Sequence, residues 1–356
     1  MLRLFDPEAV LVKTFDERLL FSLYPNKSGT VLSEEYKVSV NTNEQSGRQS
    51  LYPTAKYPIL LLGDSFAEGW GVAEDQIFTS IANKNLPKDR QILNMGVHGS
   101  CPALFQIHTK EMVAKFQPKE VWIQIFDNDL DDNDKLEVFM ENYDGNLSPK
   151  KPMLAKFIGV WGYNFVKEST IFRLAKRAYK KAKSIPDPIL YYKSGREPEL
   201  KILTHEESLK KFGRLSPLGD QIGNKYNGQF EFYALPDKEV WKGRLAKQEL
   251  YLQKIYEYLK EKDIKLNLIY IPAKEFFAEK GITGNLSTKN LNLFHAENPH
   301  YRLLKSFCET RNVNCLFASE IFWNQKPEDL YFPYDAHWNA KGHEIFGNYF
   351  SNYLLK

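Results

Sequence analysis

The chain has little of several things. Only three of its 356 residues are cysteines, no Cys-x-x-Cys pair occurs, and its seven histidines form no cluster. No metal or other cofactor is therefore expected. No apolar run approaches the ~18 residues of a membrane span. The opening Met1-Leu2-Arg3-Leu4-Phe5-Asp6-Pro7 lacks the apolar stretch of a signal peptide. Taken literally this is a cytoplasmic protein, with an exported form whose anchor is missing as the alternative. Charge of one sign is scarce too: 48 Lys and Arg face 45 Asp and Glu, and the pI is near 8.4. Such mild charge gives no footing for a nucleic-acid partner. Internal repeats and low-complexity tracts are also missing.

What is there suits a sizeable core: 43% hydrophobic and 14% aromatic residues, enough for one large domain or two small ones. Residues 1–56 are polar and turn-rich, with strand-like stretches at Thr30-Val31-Leu32 and, alternating, Tyr36-Lys37-Val38-Ser39-Val40. They read as a β-rich extension. From residue 57 to 356 strands and helices alternate. Strands are expected at 58–63, 91–96, 120–126, 265–271 and 313–317. Helices are expected at about 75–86, 103–116, 238–262, 299–311 and from 340. Five strands separated by helices imply an α/β fold with a doubly wound, flavodoxin-like, five-stranded parallel sheet and helices on both faces.

An insertion at about 140–237 interrupts this pattern. Within 153–183, Phe157, Trp161, Phe165, Ile171, Leu174 and Tyr179 sit among many lysines and arginines. One or two basic amphipathic helices packed on the domain are expected, ahead of a lid or membrane-surface element. Residues 184–237, with five prolines, read as loop-rich. Asp131, Asp132 and Asp134 read as a solvated acidic face rather than a metal site. Cys101 follows a glycine loop. Cys308 and Cys315 flank a helix-to-strand connection, where buried thiols are expected ahead of a disulfide in a cytoplasmic protein.

The residues that carry chemistry lie at strand ends. Pro58-Ile59-Leu60-Leu61-Leu62-Gly63-Asp64-Ser65 is a short apolar strand followed by a glycine turn. It aims Ser65 into the crevice where open α/β sheets bind ligands. Alone, Ser65 reads equally well as a turn serine. Serine needs an adjacent base, usually a histidine oriented by a carboxylate. The far end of the chain supplies both in Asp335-Ala336-His337-Trp338-Asn339. A two-residue spacing cannot share a helix face, but in a loop it lets the carboxylate fold back onto the imidazole. The strand at 91–96 runs into a loop holding Gly96 and Gly99, and that at 120–126 ends at Asp127-Asn128-Asp129. The backbone N–H groups of Ser65 and Gly99 and the amide of Asn128 would give three donors for one developing oxyanion. Singly, Gly99 also reads as a turn glycine and Asn128 as a helix cap. Ala67, two residues after the serine, argues against an α/β-hydrolase nucleophile elbow, which needs glycine there.

Together, Gly63-Asp64-Ser65, the Asn94-x-Gly96-x-x-Gly99 stretch, Asn128-Asp129 and the terminal Asp335-x-His337 resemble the four blocks of the SGNH/GDSL hydrolases, in family order. The resemblance covers 57–135 and 245–356. It implies Ser65 as nucleophile and oxyanion donor, Gly99 and Asn128 as the other donors, and His337 with Asp335 as base and orienter. Most members place the acid three residues before the histidine, where this chain has Tyr334. The Asp-x-His-Trp block instead resembles polysaccharide-acetylating relatives, and a Ser65–His337 dyad stays open beside the triad. The expected function is ester hydrolysis, releasing acetyl or other short acyl groups from a carbohydrate or small ester. O-acyl transfer to a polysaccharide and non-catalytic binding of a glycan or lipid are the alternatives.

Overall fold

The computed structural model describes residues 14–48, 55–169, 190–192, 199–213, 239–277 and 298–356. Residues 1–13, the second helical stretch expected around Ile171, Leu174 and Tyr179, and most of 184–237 lie outside the described residues.

The amino-terminal region is β-rich. Strand β1 (Thr14–Asp16) pairs antiparallel with β2 (Leu20–Ser22), and β3 (Ser28–Leu32) with β4 (Lys37–Asn41). Strand β5 (Ile59–Leu62) is apolar and wholly buried, and opens directly into the one-turn helix α1 (Ser65–Glu68). Helix α2 (Phe78–Asn85) starts later than expected, because Glu74–Gln76 form a separate 3₁₀ turn. Then follow β6 (Ile92–Asn94), α3 (Pro102–Phe116), β7 (Glu120–Phe126) and α4 (Asp129–Glu137). The insertion begins with a hairpin, β8 (Met140–Tyr143) and β9 (Asn146–Pro149), and continues into α5 (Met153–Glu168). Strand β10 (Leu190–Tyr192) adds to the free edge of β3. Helices α6 (His205–Phe212) and α7 (Glu239–Glu261) lead to β11 (Lys265–Ile271), α8 (Pro299–Arg311), β12 (Asn314–Phe317), α9 (Ala318–Phe322) and α10 (Ala340–Leu354).

Five strands form one parallel sheet in the order β6-β5-β7-β11-β12. Counted along the core this is 2-1-3-4-5, the flavodoxin-like order, whose ligand crevice opens where the first and third strands part. Here that is between β5 and β7, the strands that deliver Ser65 and Asn128. Along β7 side chains alternate between faces: Trp122 meets Phe350 and Tyr353 of α10 at ring distances of 4.9 and 5.8 Å. Helix α2 packs beside α10, whereas α3, α4 and α8 pack around α7.

Helices α8 and α10 are capped by their own sequence. The Asn298 side chain accepts from Tyr301 N, Pro299 occupies the first turn of α8, and Asn312 ends it in the left-handed region at φ 53°. The Asn339 side chain, two residues after His337, accepts from Lys341 N and Gly342 N and so fixes the start of α10.

Two expectations need correcting. Cys308 and Cys315 are joined in a disulfide, with Cα atoms 6.2 Å apart. The left-handed turn at Asn312 folds the chain back from α8 into β12 and brings them within bonding reach. An argument from compartment had no access to that turn. The acidic residues of α4 are not merely solvated: Arg244 contacts Asp131 and Asp134, each at 2.8 Å, and Lys247 contacts Asp134 at 2.6 Å, tying α4 to α7. Cys101 is free and buried at the start of α3. No helix among the described residues is long and apolar enough to cross a membrane.

Candidate active site

The turn after β5 is built so that little room is left. A Cβ at Gly63 would lie 2.5 Å from the Ala67 Cβ and 2.6 Å from Gln124 Oε1. The Gln124 side chain, buried on β7, accepts from Asp64 N at 3.0 Å and Ala67 N at 3.3 Å. Asp64 Oδ1 caps α1 by accepting from Phe66 N at 2.8 Å. Ser65 is thereby held at the first turn of α1, nearly buried.

His337 meets it from the other end of the chain. His337 Nε2 lies 2.7 Å from Ser65 Oγ, and His337 Nδ1 contacts Asp335 Oδ1. The two-residue spacing works because Ala336 sits at φ 67°, a left-handed kink that turns the carboxylate back toward the ring. Backbone bonds Phe332 N→His337 O (2.7 Å) and Ala336 N→Phe332 O (3.0 Å) close the loop. Tyr334, three residues before His337, turns away: its ring packs on Phe212 at 4.7 Å. Burial pushes its phenol above the ordinary 10, so it stays neutral.

The electrostatics suit a base and its orienter. Burial alone would raise Asp335, but the His337 charge and the hydrogen bonds from His337 and Tyr36 hold its carboxyl below the ordinary 3.8. Burial alone would lower His337, but the charge and hydrogen bond of Asp335 outweigh it and hold the imidazole above 6.5.

The expected oxyanion donors sit on the two strands flanking β5. Asn128 directly follows β7, and Gly99, at φ 64°, lies in the loop after β6. That loop is pressed against the turn that holds Ser65. Val97 N donates to Gly63 O at 2.9 Å, His98 N to Glu68 Oε2 at 2.6 Å, and a Cβ at Gly96 would lie 2.5 Å from Glu68 N. Within it the Asn94 side chain donates to Ala67 O at 2.6 Å and accepts from Gly96 N at 2.9 Å.

Several residues of the site carry no sequence signal. Tyr36 OH donates to Asp335 Oδ2 and accepts from Trp70 Nε1, both at 2.8 Å. Glu35 accepts from Tyr334 N (2.9 Å), Asp335 N (2.8 Å) and Ser208 Oγ (2.5 Å). Arg48, buried, donates to the carbonyls of Gly69 and Val72 and so pins the loop beyond α1. The amino-terminal extension thus supplies three supports, and α6 of the insertion a fourth. Aromatic rings wall the serine and histidine: Phe66 lies 4.9 Å and Trp70 6.0 Å from His337, and His98 lies 5.0 Å from Trp70. Asp64 and Asp129 are both fully buried behind the site. Burial, countered in part by its hydrogen bonds, raises Asp64 to about 7; burial and then the Asp64 charge raise Asp129 well above 3.8.

No protein-family model and no curated protein matches the chain. Among solved structures, a GDSL-like lipase from Bacteroides thetaiotaomicron is 8% identical over 86% of this chain and 92% of its own, at a TM-score of 0.40. A catalytic mutant of an acetylxylan esterase from Geobacillus stearothermophilus is 12% identical over 84% and 94%, at 0.41. A psychrotrophic esterase from a Pseudoalteromonas species, inhibited by monoethylphosphonate, is 10% identical over 84% and 99%, at 0.34. Likeness this slight carries no chemical weight, and the chemistry follows from the arrangement of Ser65, His337 and Asp335.

Proposed function

We propose that the protein is a serine ester hydrolase of the SGNH type, releasing acetyl or other short acyl groups from a carbohydrate or small ester. The observation that carries this reading is the continuous contact from Ser65 Oγ through His337 to Asp335 at the crevice end of the sheet. Ionised Asp335 takes the Nδ1 proton as partner and leaves Nε2 free to accept from the serine. Ser65 Oγ attacks the ester carbonyl while its proton passes to His337 Nε2. The carbonyl oxygen becomes an oxyanion, held by Ser65 N, Gly99 N and the Asn128 amide. His337 returns the proton to the departing alkoxide, which leaves as the alcohol. Water then gives its proton to His337 and attacks the acyl-enzyme, releasing the acid and restoring Ser65. A sugar hydroxyl in place of that water would make the same site an acyltransferase.

The Cys308–Cys315 disulfide supports work in an oxidising compartment rather than the cytoplasm. A series of p-nitrophenyl esters from acetate to palmitate, assayed with and without an oligosaccharide acceptor, tests the reading. Acetate should turn over fastest, with free acid as the product. Acylated oligosaccharide as the main product would replace hydrolysis by transfer, and turnover of none of the esters would contradict the proposal.

A further inference from the structure

Helix α5 has two faces of different character. The inner face is fastened: Ala155 is buried, Tyr163 meets Phe15 edge-on at 6.0 Å, and Asn164 bonds the Phe15 backbone in both directions at 3.2 and 3.0 Å. The outer face is apolar and bare. Met153 and Phe157, four residues apart in the first segment, are 77% and 80% exposed, with Leu154 and Ile158 beside them, and Trp161 in the second segment is 79% exposed. The helix breaks between the two segments at Gly159, φ 73°, where nothing among the described residues lies within 4 Å of an added Cβ. Lys150 N donates to Phe139 O at 2.8 Å, bringing the exposed Val138 and Phe139 next to the start of α5.

An exposed Leu is ordinary, but this is a patch. Phe157 and Trp161 alone leave roughly 250–400 Å² to water, and the largest apolar patch on a folded protein is of that order and is often functional. The charge around it is one-sided. Residues 150–167 hold Lys150, Lys151, Lys156 and Lys167, all exposed, and no carboxylate of their own, although Lys151 pairs with Glu17 at 2.6 Å. The sequence continues the bias, with ten Lys or Arg and one acid, Glu168, over 150–183, in a chain otherwise balanced at 48 to 45. A protein partner would need only apolar complementarity. Tryptophan, phenylalanine and methionine ringed by lysine fit a bilayer interface, where aromatic rings enter the headgroup layer and ammonium groups meet anionic lipid.

We propose that α5 and the adjoining 138–139 turn dock the protein on an anionic lipid bilayer. The proposal is independent of the chemistry at Ser65. Flotation with vesicles of phosphatidylcholine alone, or containing a third phosphatidylglycerol, tests it on the full chain. Wild type should float with the anionic vesicles, and raised salt should weaken binding. The Phe157→Ser/Trp161→Ser pair should lower partitioning by at least roughly tenfold. Lys150→Glu/Lys156→Glu should lower it selectively on anionic vesicles, each lost lysine being worth roughly fivefold. Unchanged thermal melting of both variants shows that the fold survives. Wild type that floats with neither vesicle, or an apolar-face variant that floats as well as wild type, overturns the proposal. A wild-type dimer in sedimentation that Phe157→Ser/Trp161→Ser splits to monomers would overturn it in favour of a second copy on this face.

Discussion

Tyr36 and Asp335, 299 positions apart, are joined by a 2.8 Å hydrogen bond from the phenol to the buried carboxylate. The carboxylate proposed to orient His337 is thus also held by the amino-terminal extension. A bond to a charged buried group is worth about 1.5–3 kcal/mol. Tyr36→Phe keeps the ring against Phe332, 4.9 Å away, and removes that bond together with the one from Trp70 Nε1. It should lower kcat by roughly tenfold to a hundredfold and leave KM unchanged. Steady-state kinetics at saturating ester decide this. Wild-type kcat would make Tyr36 a packing residue only.

His337 must be neutral to act as base, and its ionisation lies above 6.5. The pH profile of kcat/KM should therefore rise through a midpoint above 6.5. Asp335→Asn removes the charge that raises His337, so the midpoint should move down while kcat falls. An amide in place of a triad carboxylate favours the wrong tautomer, with losses on the order of 10⁴. The same shifts govern stability. The raised His337 adds stability that is full below its unfolded value and is lost as pH rises through its folded one. The depressed Asp335 adds stability above its unfolded value, lost as pH falls through its folded one. Near-wild-type kcat in Asp335→Asn together with an inactive His337→Ala would leave a Ser65–His337 dyad.

In the proposed mechanism Asn128 and Gly99 act on the transition state. Asn128→Ala should cost roughly 100- to 1000-fold in kcat with KM nearly constant. A rise in KM alone would make Asn128 a substrate-binding residue.

Asp64 and Asp129 give the site's surroundings a measurable pH signature. Both carboxyls are raised, by burial first, so folding takes up protons and stability falls as pH climbs from about 4 toward 7. Asp129→Asn removes the like charge beside Asp64. Its melting temperature relative to wild type should therefore be higher at pH 8 than at pH 5. Calorimetry at the two pH values checks this, and an equal difference at both would separate the two carboxylates.

Much of this was legible in the sequence where one segment decides its own fate. The bounds 120–126 and 265–271 fall where apolar runs meet polar ends, and Pro299 and Asn339 mark helix starts by capping chemistry. Ser65, His337 and Asp335 were readable because their neighbours define strand-end and loop contexts. Tyr36, Glu35 and Arg48 were not, since nothing local to them points to a contact made only after the sheet has formed. The disulfide depended on one left-handed residue, Asn312. The spacing of Phe157, Trp161 and Phe165 showed a helical apolar face, but a pattern of spacing is the same whether that face meets a core or open solvent.

The central claim is that Ser65 is the nucleophile activated by His337. Incubation with a fluorophosphonate, followed by peptide mapping, tests it directly, because such probes react with activated serines. The account predicts one phosphonyl group per chain, on the peptide holding Ser65, with labelling abolished in Ser65→Ala and strongly slowed in His337→Ala. Label on another serine, or labelling of Ser65 at an unchanged rate in His337→Ala, would contradict it.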